Sequence, residues 1–257
     1  DREEWDVTDP AACRREVERF RPDVVVHCAA WTAVDRAESE AEGARLLNVE
    51  GTRNVALACR ARGALMVAFG TDYIFDGASP RPYREDDPAN PLSVYGRTKW
   101  EAEQALREVG GDHLLVRTQW LFGPAGRNFI GTILAKARGG ETLRVASDQV
   151  GCPTFSRDVA VAVRTLIAAR VRGTVHFSSG GETSWFGLAR HVLERSGLPT
   201  GSLAPALTRD LPYPAPRPAY AVLGKERYHA ATGVAPRPWE EAVGEYLAMI
   251  DPEGGAR

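Results

Sequence analysis

Short apolar runs alternate with helix-like stretches along the first two thirds of the chain, and this rhythm constrains the fold more than any other feature. The runs are apolar along most of their length, which is typical of strands covered on both faces in a parallel sheet. They lie at residues 23–30, 65–69, 113–117 and 174–178. Stretches with helical character occupy residues 10–20, 40–62, 95–108 and 156–169. The alternation predicts an α/β fold, a Rossmann-like doubly wound parallel sheet with helices on both faces.

The last third of the chain has a different pattern. Residues 184–197 and 238–249 are predicted to be helical, whereas residues 199–218 contain six prolines and no strand rhythm. We expect this part to contribute to a smaller, discontinuous substrate lobe. In this division the dinucleotide-binding domain comprises residues 1–122 and 153–178, and the substrate-binding lobe comprises residues 123–152 and 179–257.

The start of the sequence lacks a feature that a dinucleotide-binding sheet normally has. Such a sheet opens with a strand, a Gly-rich turn and a helix. Here the chain begins at Asp1-Arg2, and neither G-x-x-G-x-x-G nor G-x-G-x-x-G follows an early strand. The first strand is central in this fold, so without it the strand at 23–28 would have an unpaired apolar edge. We therefore expect that the N-terminal strand and the Gly-rich loop are missing from this sequence.

Composition excludes several classes of protein. The 257 residues have a net charge of −2, so the chain has no basic field for a nucleic-acid polymer. No apolar run reaches the roughly 18 residues of a membrane span. The four cysteines show no C-x-x-C spacing and the five histidines are scattered, so neither a zinc site nor a disulfide framework is expected. We expect a cytoplasmic protein with no membrane or nucleic-acid partner.

A tyrosine and a lysine four residues apart give the sharpest chemical signal. Tyr95 and Lys99 are predicted to share one helix face, where the cation would lower the tyrosine pKa from its usual value of about 10. A phenol adjusted in this way can exchange a proton near neutral pH. Thr71 follows the second apolar run, at the strand end where α/β sheets bind ligands. We predict that Thr71, Tyr95 and Lys99 are catalytic, although Thr71 could also simply form the turn.

Further motifs narrow this pattern to one family. The Thr–Tyr–Lys set resembles the extended short-chain dehydrogenase/reductase superfamily, and longer segments resemble the dTDP-4-dehydrorhamnose reductase family. The resemblance covers nearly the whole chain and rests on residues 28–38, Asn48, 71–77, 91–99, 117–123, 148–154 and 217–220. The sequence departs from the family in lacking the Gly-rich loop, in having Gly70 where Ser is usual, and in having His27 where Asn is usual.

The resemblance implies a reaction. NADPH, with NADH as the alternative, would deliver hydride to the C4 carbonyl of dTDP-4-dehydro-L-rhamnose and give dTDP-L-rhamnose. Tyr95 would protonate the C4 alkoxide, Lys99 would hold the nicotinamide ribose, and Thr71 would position the sugar oxygen. Related 4,6-dehydratases carry a Glu after the Asp that follows this Thr. Tyr73 stands there in this chain, which favours reduction over dehydration.

The same resemblance implies the remaining contacts. Cofactor-binding residues would be Arg2, Asp6, Val7, Cys28, Ala29, Ala30, Thr32, Asn48, Tyr95 and Lys99. Arg2 favours a 2′-phosphate and hence NADPH, whereas Asp1 beside it would suit the ribose of NAD. Substrate-side residues would be Asp72, Tyr73, Trp120, Asn128 and Arg217, with a core role as the alternative for Trp120. We expect residues 85–87, three successive acids, to form a solvated loop, and no metal to be needed for chemistry.

Two other functions remain open at this stage. The chain could be a 4-ketoreductase for another dTDP-deoxysugar in antibiotic glycosylation, since pocket shape decides stereochemistry. It could also be a non-catalytic NADP-binding regulatory subunit resembling the β subunit of methionine adenosyltransferase, which shares Thr-Asp-Tyr and Tyr-x-x-x-Lys. The Arg-Thr-x-Trp segment at 117–120 favours the enzyme. We expect a dTDP-sugar as the binding partner and a possible homodimer.

Overall fold

The computed structural model describes residues 5–250, and its helices and strands follow the predicted alternation. The strands are β1 (Val24–His27), β2 (Leu65–Thr71), β3 (His113–Thr118), β4 (Leu121–Phe122), β5 (Leu143–Ala146), β6 (Val150–Gly151), β7 (Thr154–Phe155), β8 (Gly173–His176), β9 (Thr183–Ser184) and β10 (Leu203–Ala206). The α-helices are α1 (Pro10–Phe20), α2 (Val34–Ser39), α3 (Ala41–Arg45), α4 (Gly51–Arg62), α5 (Val94–Val109), α6 (Phe129–Arg138), α7 (Ser156–Ala168), α8 (Trp185–Arg195), α9 (Glu226–Thr232) and α10 (Trp239–Ile250).

The main sheet is parallel, with the strand order β1-β2-β3-β8. All four strands lie where the sequence predicts them. The register places Thr71 beside Thr118 and Gly70 beside Arg117, so the ends of β2 and β3 lie together. Within residues 5–250, β1 pairs with β2 alone, and Val26 on β1 remains 47% exposed. The carboxyl ends of β1, β2 and β3 therefore meet at one edge of the sheet, where ligands bind in this fold class.

Helices cover the two faces of this sheet, as the doubly wound arrangement requires. Alternate residues of a strand point to opposite faces. Met66 and Ala68 pack in a core with residues of α1, α4 and α5. Leu65 and Val67 pack in a second core, which contains α7 residues such as Leu166. The continuous apolar runs are thus explained by burial on both sides.

Helix α5 is held close to the end of β2. Its N-terminus is capped by Ser93, whose hydroxyl accepts from the amide of Gly96 at 3.1 Å. A Cβ at Gly96 would collide with the carbonyl oxygen of Tyr73. The glycine therefore allows the first turn of α5 to lie directly on the turn that follows β2. This close approach brings Tyr95 next to Thr71.

The structure differs from the prediction in two places. The predicted single helix at 40–62 is divided into α3, a π-helical turn at Leu46–Glu50 and α4. Local π turns are inserted without a strong composition signal, and they are frequent at functional sites. The proline-rich stretch, predicted to contain no strand, includes β10, which pairs in parallel with β5 through Leu203 and Leu143. Each strand of this pair has a free edge, which is where a proline such as Pro205 is tolerated.

A separate apolar core supports the C-terminal part. Residues of α6, α8 and β5 form it, and its buried members are Ile133, Leu143, Val145, Ala189 and Leu193. Helix α10 packs with β7 and α6 in a neighbouring core. In the range 5–250 no helix is both long and apolar enough to cross a membrane.

Candidate active site

Thr71, Tyr95 and Lys99 converge at the carboxyl end of β2. The Tyr95 side chain lies beside Thr71, close enough for the threonine hydroxyl to affect its pKa, and the ring of Tyr73 packs edge-on against Tyr95 with centroids 5.5 Å apart. The Lys99 ammonium lies one turn further along α5 and donates to the carbonyl of Phe69 at 2.8 Å. Thr71 also caps the turn after β2, because its hydroxyl accepts from the amide of Tyr73 at 3.3 Å. The structural and catalytic interpretations of Thr71 are therefore compatible.

Burial controls the acidity of this cluster. It raises the pKa of Tyr95 to about 12, although the neighbouring Thr71 hydroxyl acts in the opposite direction. Burial also lowers the pKa of Lys99 to about 8, and the carboxylate of Glu103 offsets part of that change. The sequence prediction that Lys99 lowers the pKa of Tyr95 is wrong for this structure. The Lys99 ammonium contacts a backbone carbonyl, and desolvation of the phenol is the largest influence on its pKa.

Asp72 lies behind Thr71 and is 2% exposed. Its Oδ1 accepts from the Thr71 hydroxyl at 3.0 Å, and its Oδ2 is buried with no hydrogen-bond partner in the described part of the chain. Burial raises the pKa of this carboxyl to about 7. Burial also raises the pKa of Tyr73. Both residues adjoin the Thr–Tyr–Lys cluster, and their contact with a substrate remains a prediction.

Trp120 follows β3 in a strained conformation. Its φ is 46°, in the left-handed region that bulky side chains rarely adopt. The indole stacks on Trp185 with centroids 3.7 Å apart, and a Cβ at Gly151 would lie 2.6 Å from the ring. Such strain persists only where the surroundings impose it, and it is concentrated at functional sites. Sequence reasoning found Trp120 but missed Trp185, which carries no motif of its own.

Arg217 is held by a carboxylate. Its guanidinium donates to Asp35 at 2.7 Å and to the carbonyl of Ala215 at 2.9 Å, and it stacks on the ring of Tyr213 at 3.9 Å. The Asp35 carboxylate also accepts from the amide of Ala215 at 3.2 Å. This pair links α2 to the proline-rich segment. Sequence reasoning quoted Asp35 within a motif but did not assign it this role, and diphosphate binding by Arg217 remains a prediction.

The side chain of Asn128 has a structural role. Its Oδ1 accepts from the amide of Gly131 and caps α6, while its Nδ2 donates to the carbonyl of Gly123 and to the hydroxyl of Tyr246. All of these distances lie between 2.9 and 3.0 Å. These bonds fix Asn128 within the C-terminal core, so its predicted contact with the substrate would have to be additional.

Five of the predicted cofactor residues line one cavity of about 610 Å³ that runs along β1 to its carboxyl end. They are Asp6, Val7, Cys28, Ala29 and Ala30. A small neighbouring cavity of about 20 Å³ joins Cys28, Ala29 and Ala30 to Lys99. The short side chains at this strand end leave room for a nucleotide to pass over the sheet.

The other predicted cofactor residues have different positions. Asn48, on the π-helical turn, accepts from the amide of Trp31 at 2.8 Å and donates to the hydroxyl of Thr98 at 2.9 Å. It therefore ties the loop after β1 to α5. Thr32 is exposed on that loop. Arg2 lies outside the described residues.

A second buried cluster supports α5 and was missed by sequence reasoning. The Arg117 guanidinium donates to Glu103 at 2.8 Å, and both side chains are 2% exposed. Arg117 also contacts the ring of His176 at 3.1 Å, and burial together with this cation lowers the pKa of His176 to about 3. A Cβ at Gly70 would lie 2.7 Å from both the Arg117 and Glu103 side chains, which gives a physical reason for glycine there. The sequence feature that could have revealed this cluster is the position of Glu103, four residues after Lys99.

The acidic segment at 85–87 has internal partners. Glu85 accepts from the amide of His176 at 2.8 Å, and Asp87 pairs with Arg81 at 2.8 Å. In residues 5–250 no group of three or more His, Cys, Asp or Glu side chains could hold a metal ion.

Comparisons with known proteins agree with this geometry. The chain matches the family described as RmlD substrate binding domain over residues 1–251. The dTDP-4-dehydrorhamnose reductase of Streptomyces griseus is 43% identical over 252 residues, which cover 95% of this chain and 83% of the relative. A Streptomyces antibioticus protein, named as a probable dTDP-4,6-dihydroxy-2-methyloxan-3-one 4-ketoreductase, is 40% identical over 250 residues, which cover 95% and 84%.

A solved structure extends the similarity to three dimensions. The dTDP-4-dehydrorhamnose reductase of Bacillus anthracis, crystallised in complex with NADP, has a TM-score of 0.94 at 32% identity. The match covers 97% of this chain and 88% of the other. It therefore includes both the parallel sheet and the C-terminal part. The chain belongs to the dTDP-4-dehydrorhamnose reductase (RmlD) family, as its motifs indicate.

Proposed function

We propose that the protein is an NADPH-dependent oxidoreductase that reduces the C4 keto group of dTDP-4-dehydro-L-rhamnose to give dTDP-L-rhamnose. The observation that carries this proposal is the convergence of Thr71, Tyr95 and Lys99 at the end of β2. Relatives with the corresponding name match over nearly the whole chain. The names of these relatives favour an active enzyme over the regulatory subunit, which shares the Thr-Asp-Tyr and Tyr-x-x-x-Lys motifs.

The residues of this chain have distinct roles in the proposed reaction. The Tyr95 hydroxyl donates the proton that the C4 oxygen gains on reduction. Thr71, which lies beside that hydroxyl, orients it toward the sugar oxygen. Lys99 holds the nicotinamide ribose close to Tyr95. Trp120 offers an aromatic face to the sugar, and Arg217 offers a guanidinium fork to the diphosphate.

NADPH is the proposed cofactor, with NADH as the alternative. When bound, it supplies the hydride. The cavity at the end of β1 and its small lining residues support this assignment, as does the NADP in the solved structure of the Bacillus anthracis relative. Asp6 and Val7 would contact the adenine nucleoside, while Cys28, Ala29 and Ala30 would lie under the pyrophosphate and ribose.

The test is NADPH oxidation by the protein with enzymatically prepared dTDP-4-dehydro-L-rhamnose, with the product identified by NMR. We expect dTDP-L-rhamnose. Absence of turnover, with NADPH still bound tightly, would contradict the proposal and favour the regulatory subunit.

A second candidate is a 4-ketoreductase for another dTDP-deoxysugar. The 40% identity to the probable 4-ketoreductase of Streptomyces antibioticus favours it, because that value is close to the 43% of the reductase from Streptomyces griseus. The same NMR experiment separates the two functions. The C4 epimer as product would keep the catalytic residues and change the substrate assignment.

Three further properties belong to this proposal. The division into a dinucleotide-binding domain (1–122 and 153–178) and a substrate-binding lobe (123–152 and 179–257) is supported by the separate core of α6, α8 and β5. A cytoplasmic location is in keeping with four free cysteines. A homodimer is testable by light scattering.

A further inference from the structure

Asp72 is a buried carboxyl in direct line with the proposed proton donor. Its Oδ1 is 3.0 Å from the Thr71 hydroxyl, which in turn lies beside the hydroxyl of Tyr95. The three side chains therefore lie in sequence, and a hydrogen bond from Thr71 to Tyr95 would complete a chain of exchangeable protons. The Oδ2 atom is buried without a partner in residues 5–250, which is uncommon for an ionised carboxylate.

The hydroxyl of Thr71 can serve this chain in either direction. A hydroxyl has one donor and two acceptor positions. When Thr71 donates to Asp72, it can accept from Tyr95 and from the amide of Tyr73, which lies at 3.3 Å. When a protonated Asp72 donates instead, Thr71 accepts from Asp72 and from the same amide and donates to Tyr95. No hydrogen bond is lost when the direction reverses.

The chain resolves an electrostatic difficulty of the proposed reaction. If Tyr95 gave up its proton alone, a phenolate would remain at a buried position where burial raises the pKa to about 12. The Asp72 carboxyl has its pKa raised only to about 7. Negative charge is therefore more stable on Asp72 than on Tyr95, and a transfer that ends on Asp72 makes the cluster a stronger acid.

We propose that Asp72 stores the proton consumed in the reduction and delivers it through the Thr71 hydroxyl to Tyr95. This inference rests on the proposed reductase function and adds a proton-relay residue behind the reacting groups. Asp72 acts on the reacting oxygen through Thr71 and Tyr95, not by contact with the sugar. Its 2% exposure is in keeping with such a place behind Thr71.

The transfer balances as three linked proton movements. The O–H bond of Tyr95 breaks as an O–H bond forms on the C4 oxygen. The O–H bond of Thr71 breaks as a new one forms on Tyr95, and the O–H bond of Asp72 breaks as a new one forms on Thr71. Asp72 is left as a carboxylate. After the product leaves, a proton from water returns along the same path in the reverse direction.

Other groups around Asp72 affect its charge. Tyr73 is next in the chain, and Tyr95 and Lys99 face the site from α5. Arg217, from the proline-rich segment, acts on Tyr73. Burial is the largest influence on the pKa of the Asp72 carboxyl, and the Thr71 hydroxyl and the backbone amides of Asp72 and Tyr73 oppose it. The proposal therefore predicts a protonation near pH 7 that belongs to Asp72, distinct from the titration of Lys99, whose pKa is lowered to about 8.

Single-turnover NADPH oxidation by wild type and Asp72→Asn, followed from about pH 5 to 9, tests whether Asp72 stores this proton. In wild type we expect the rate constant to fall as pH rises through about 7, where Asp72 loses its proton. In Asp72→Asn we expect a rate lower by about tenfold or more at the acid end, with that decline abolished. The rate constant should also be measured in mixtures of H₂O and D₂O. Its dependence on the D₂O fraction should indicate that several protons move together in wild type and that one proton moves in Asp72→Asn.

Controls separate storage from other roles. Asp86→Asn, at an exposed carboxylate outside the site, should keep the wild-type profile. Thr71→Val should abolish the decline while Asp72 remains, and Thr71→Ser should restore it. If the rate constant of Asp72→Asn still declines near pH 7, or if the substitution changes KM alone, Asp72 does not store the proton. The Thr71 pair gives the answer if Asp72→Asn does not fold.

A spectroscopic measurement does not depend on turnover. Infrared difference spectra between wild type and Asp72→Asn should show a protonated carboxyl at about pH 6 that disappears above the pKa of about 7. If Asp72 is ionised at that lower pH, it does not store the proton, even if the enzyme is active. Wild type that binds NADPH but does not reduce the dTDP-ketosugar would contradict the proposed function instead.

Discussion

Two carboxyls near α5 are equally buried, yet their surroundings differ. Asp72 and Glu103 are each 2% exposed. Asp72 has one hydroxyl partner and an unpaired oxygen, and burial raises its pKa to about 7. Glu103 accepts from Arg117 at 2.8 Å and from Arg107 at 3.2 Å. A buried carboxylate that is paired with cations contributes to the structure. A buried carboxyl without cations keeps its proton at higher pH and can donate it in a reaction.

The two carboxyls define two clusters along one helix. The reactive cluster comprises Thr71, Asp72, Tyr95 and Lys99, and the support cluster comprises Gly70, Glu103, Arg117 and His176. Gly70 and Thr71 are neighbours on β2, so the strand contributes to both. If this division is correct, substitutions in the reactive cluster should mainly change rates, apart from the pH-dependent contribution that Asp72 makes to stability. Those in the support cluster should do the opposite.

The largest expected effect is that of Tyr95→Phe on turnover. Loss of the proton donor should lower kcat by about 10²- to 10⁴-fold, because the forming C4 alkoxide has no other acid in place. NADPH affinity and the free energy of unfolding should change little. Steady-state kinetics, fluorescence titration and urea unfolding measure the three quantities. Activity near the wild-type level would remove Tyr95 as the acid.

Arg117→Met should give the largest loss of stability. It leaves Glu103 buried with only the partly exposed Arg107 as partner, which should lower the free energy of unfolding by about 3–5 kcal/mol. The double variant Glu103→Met with Arg117→Met should recover much of that loss, since neither member of the buried ion pair remains. Urea unfolding of the two variants makes the comparison. Equal instability of both would show that packing, and not charge, dominates the support cluster.

The pH dependence of stability tests the other carboxyl. Folded Asp72 keeps its proton up to about pH 7, whereas the unfolded residue loses it near its usual pKa of 3.8. Between these values the folded state binds more protons, so this residue's contribution to stability falls as pH rises. The loss is at most about 4 kcal/mol, at about 1.4 kcal/mol for each pH unit between the two pKa values.

Asp72→Asn should remove this decline. Buried His27 and His176, whose pKa values are lowered to about 4 and about 3, act in the opposite direction but equally in both proteins. The difference in unfolding free energy between variant and wild type, measured by urea from about pH 4 to 8, isolates Asp72. A difference that does not vary with pH would mean that the carboxyl titrates at its ordinary value.

Gly70→Ser introduces a side chain on β2 at the point where the two clusters adjoin. The added Cβ would lie 2.7 Å from the side chains of Arg117 and Glu103, so the pair must shift. We expect a loss of about 1–3 kcal/mol in unfolding free energy, typical of overpacking a buried site. The rate should fall less than in Tyr95→Phe, because Thr71 is displaced only indirectly. Unchanged stability would show that the buried pair adapts without strain.

Sequence patterns revealed the reactive cluster because its signals are local. Tyr95 and Lys99 lie one helical turn apart, and Thr71 ends an apolar run. The four main strands were predictable for the same reason, since burial on both faces leaves a continuous apolar run. The support cluster was not found because Glu103 and Arg117 come from different elements, and a charged residue normally indicates an exposed position.

The C-terminal part was harder to predict for a different reason. Strand β10 contains Pro205 and pairs with β5, which precedes it by about sixty residues, so no local alternation marks either strand. The stacking of Trp185 on Trp120 and the pairing of Arg217 with Asp35 likewise depend on tertiary contacts. The lowered pKa expected for Tyr95 was wrong because spacing gives proximity but does not give burial.

Trp120→Ala has the smallest expected effect. It tests whether the reactive cluster includes Trp120, which follows β3. The indole is one of a stacked pair with Trp185, and loss of one aromatic face should weaken dTDP-sugar binding by about tenfold. NADPH affinity should change much less, because the cofactor cavity lies at the end of β1. Calorimetric titration with each ligand measures the two affinities. Equal loss of both would instead place Trp120 with the support cluster, as a residue that shapes the fold.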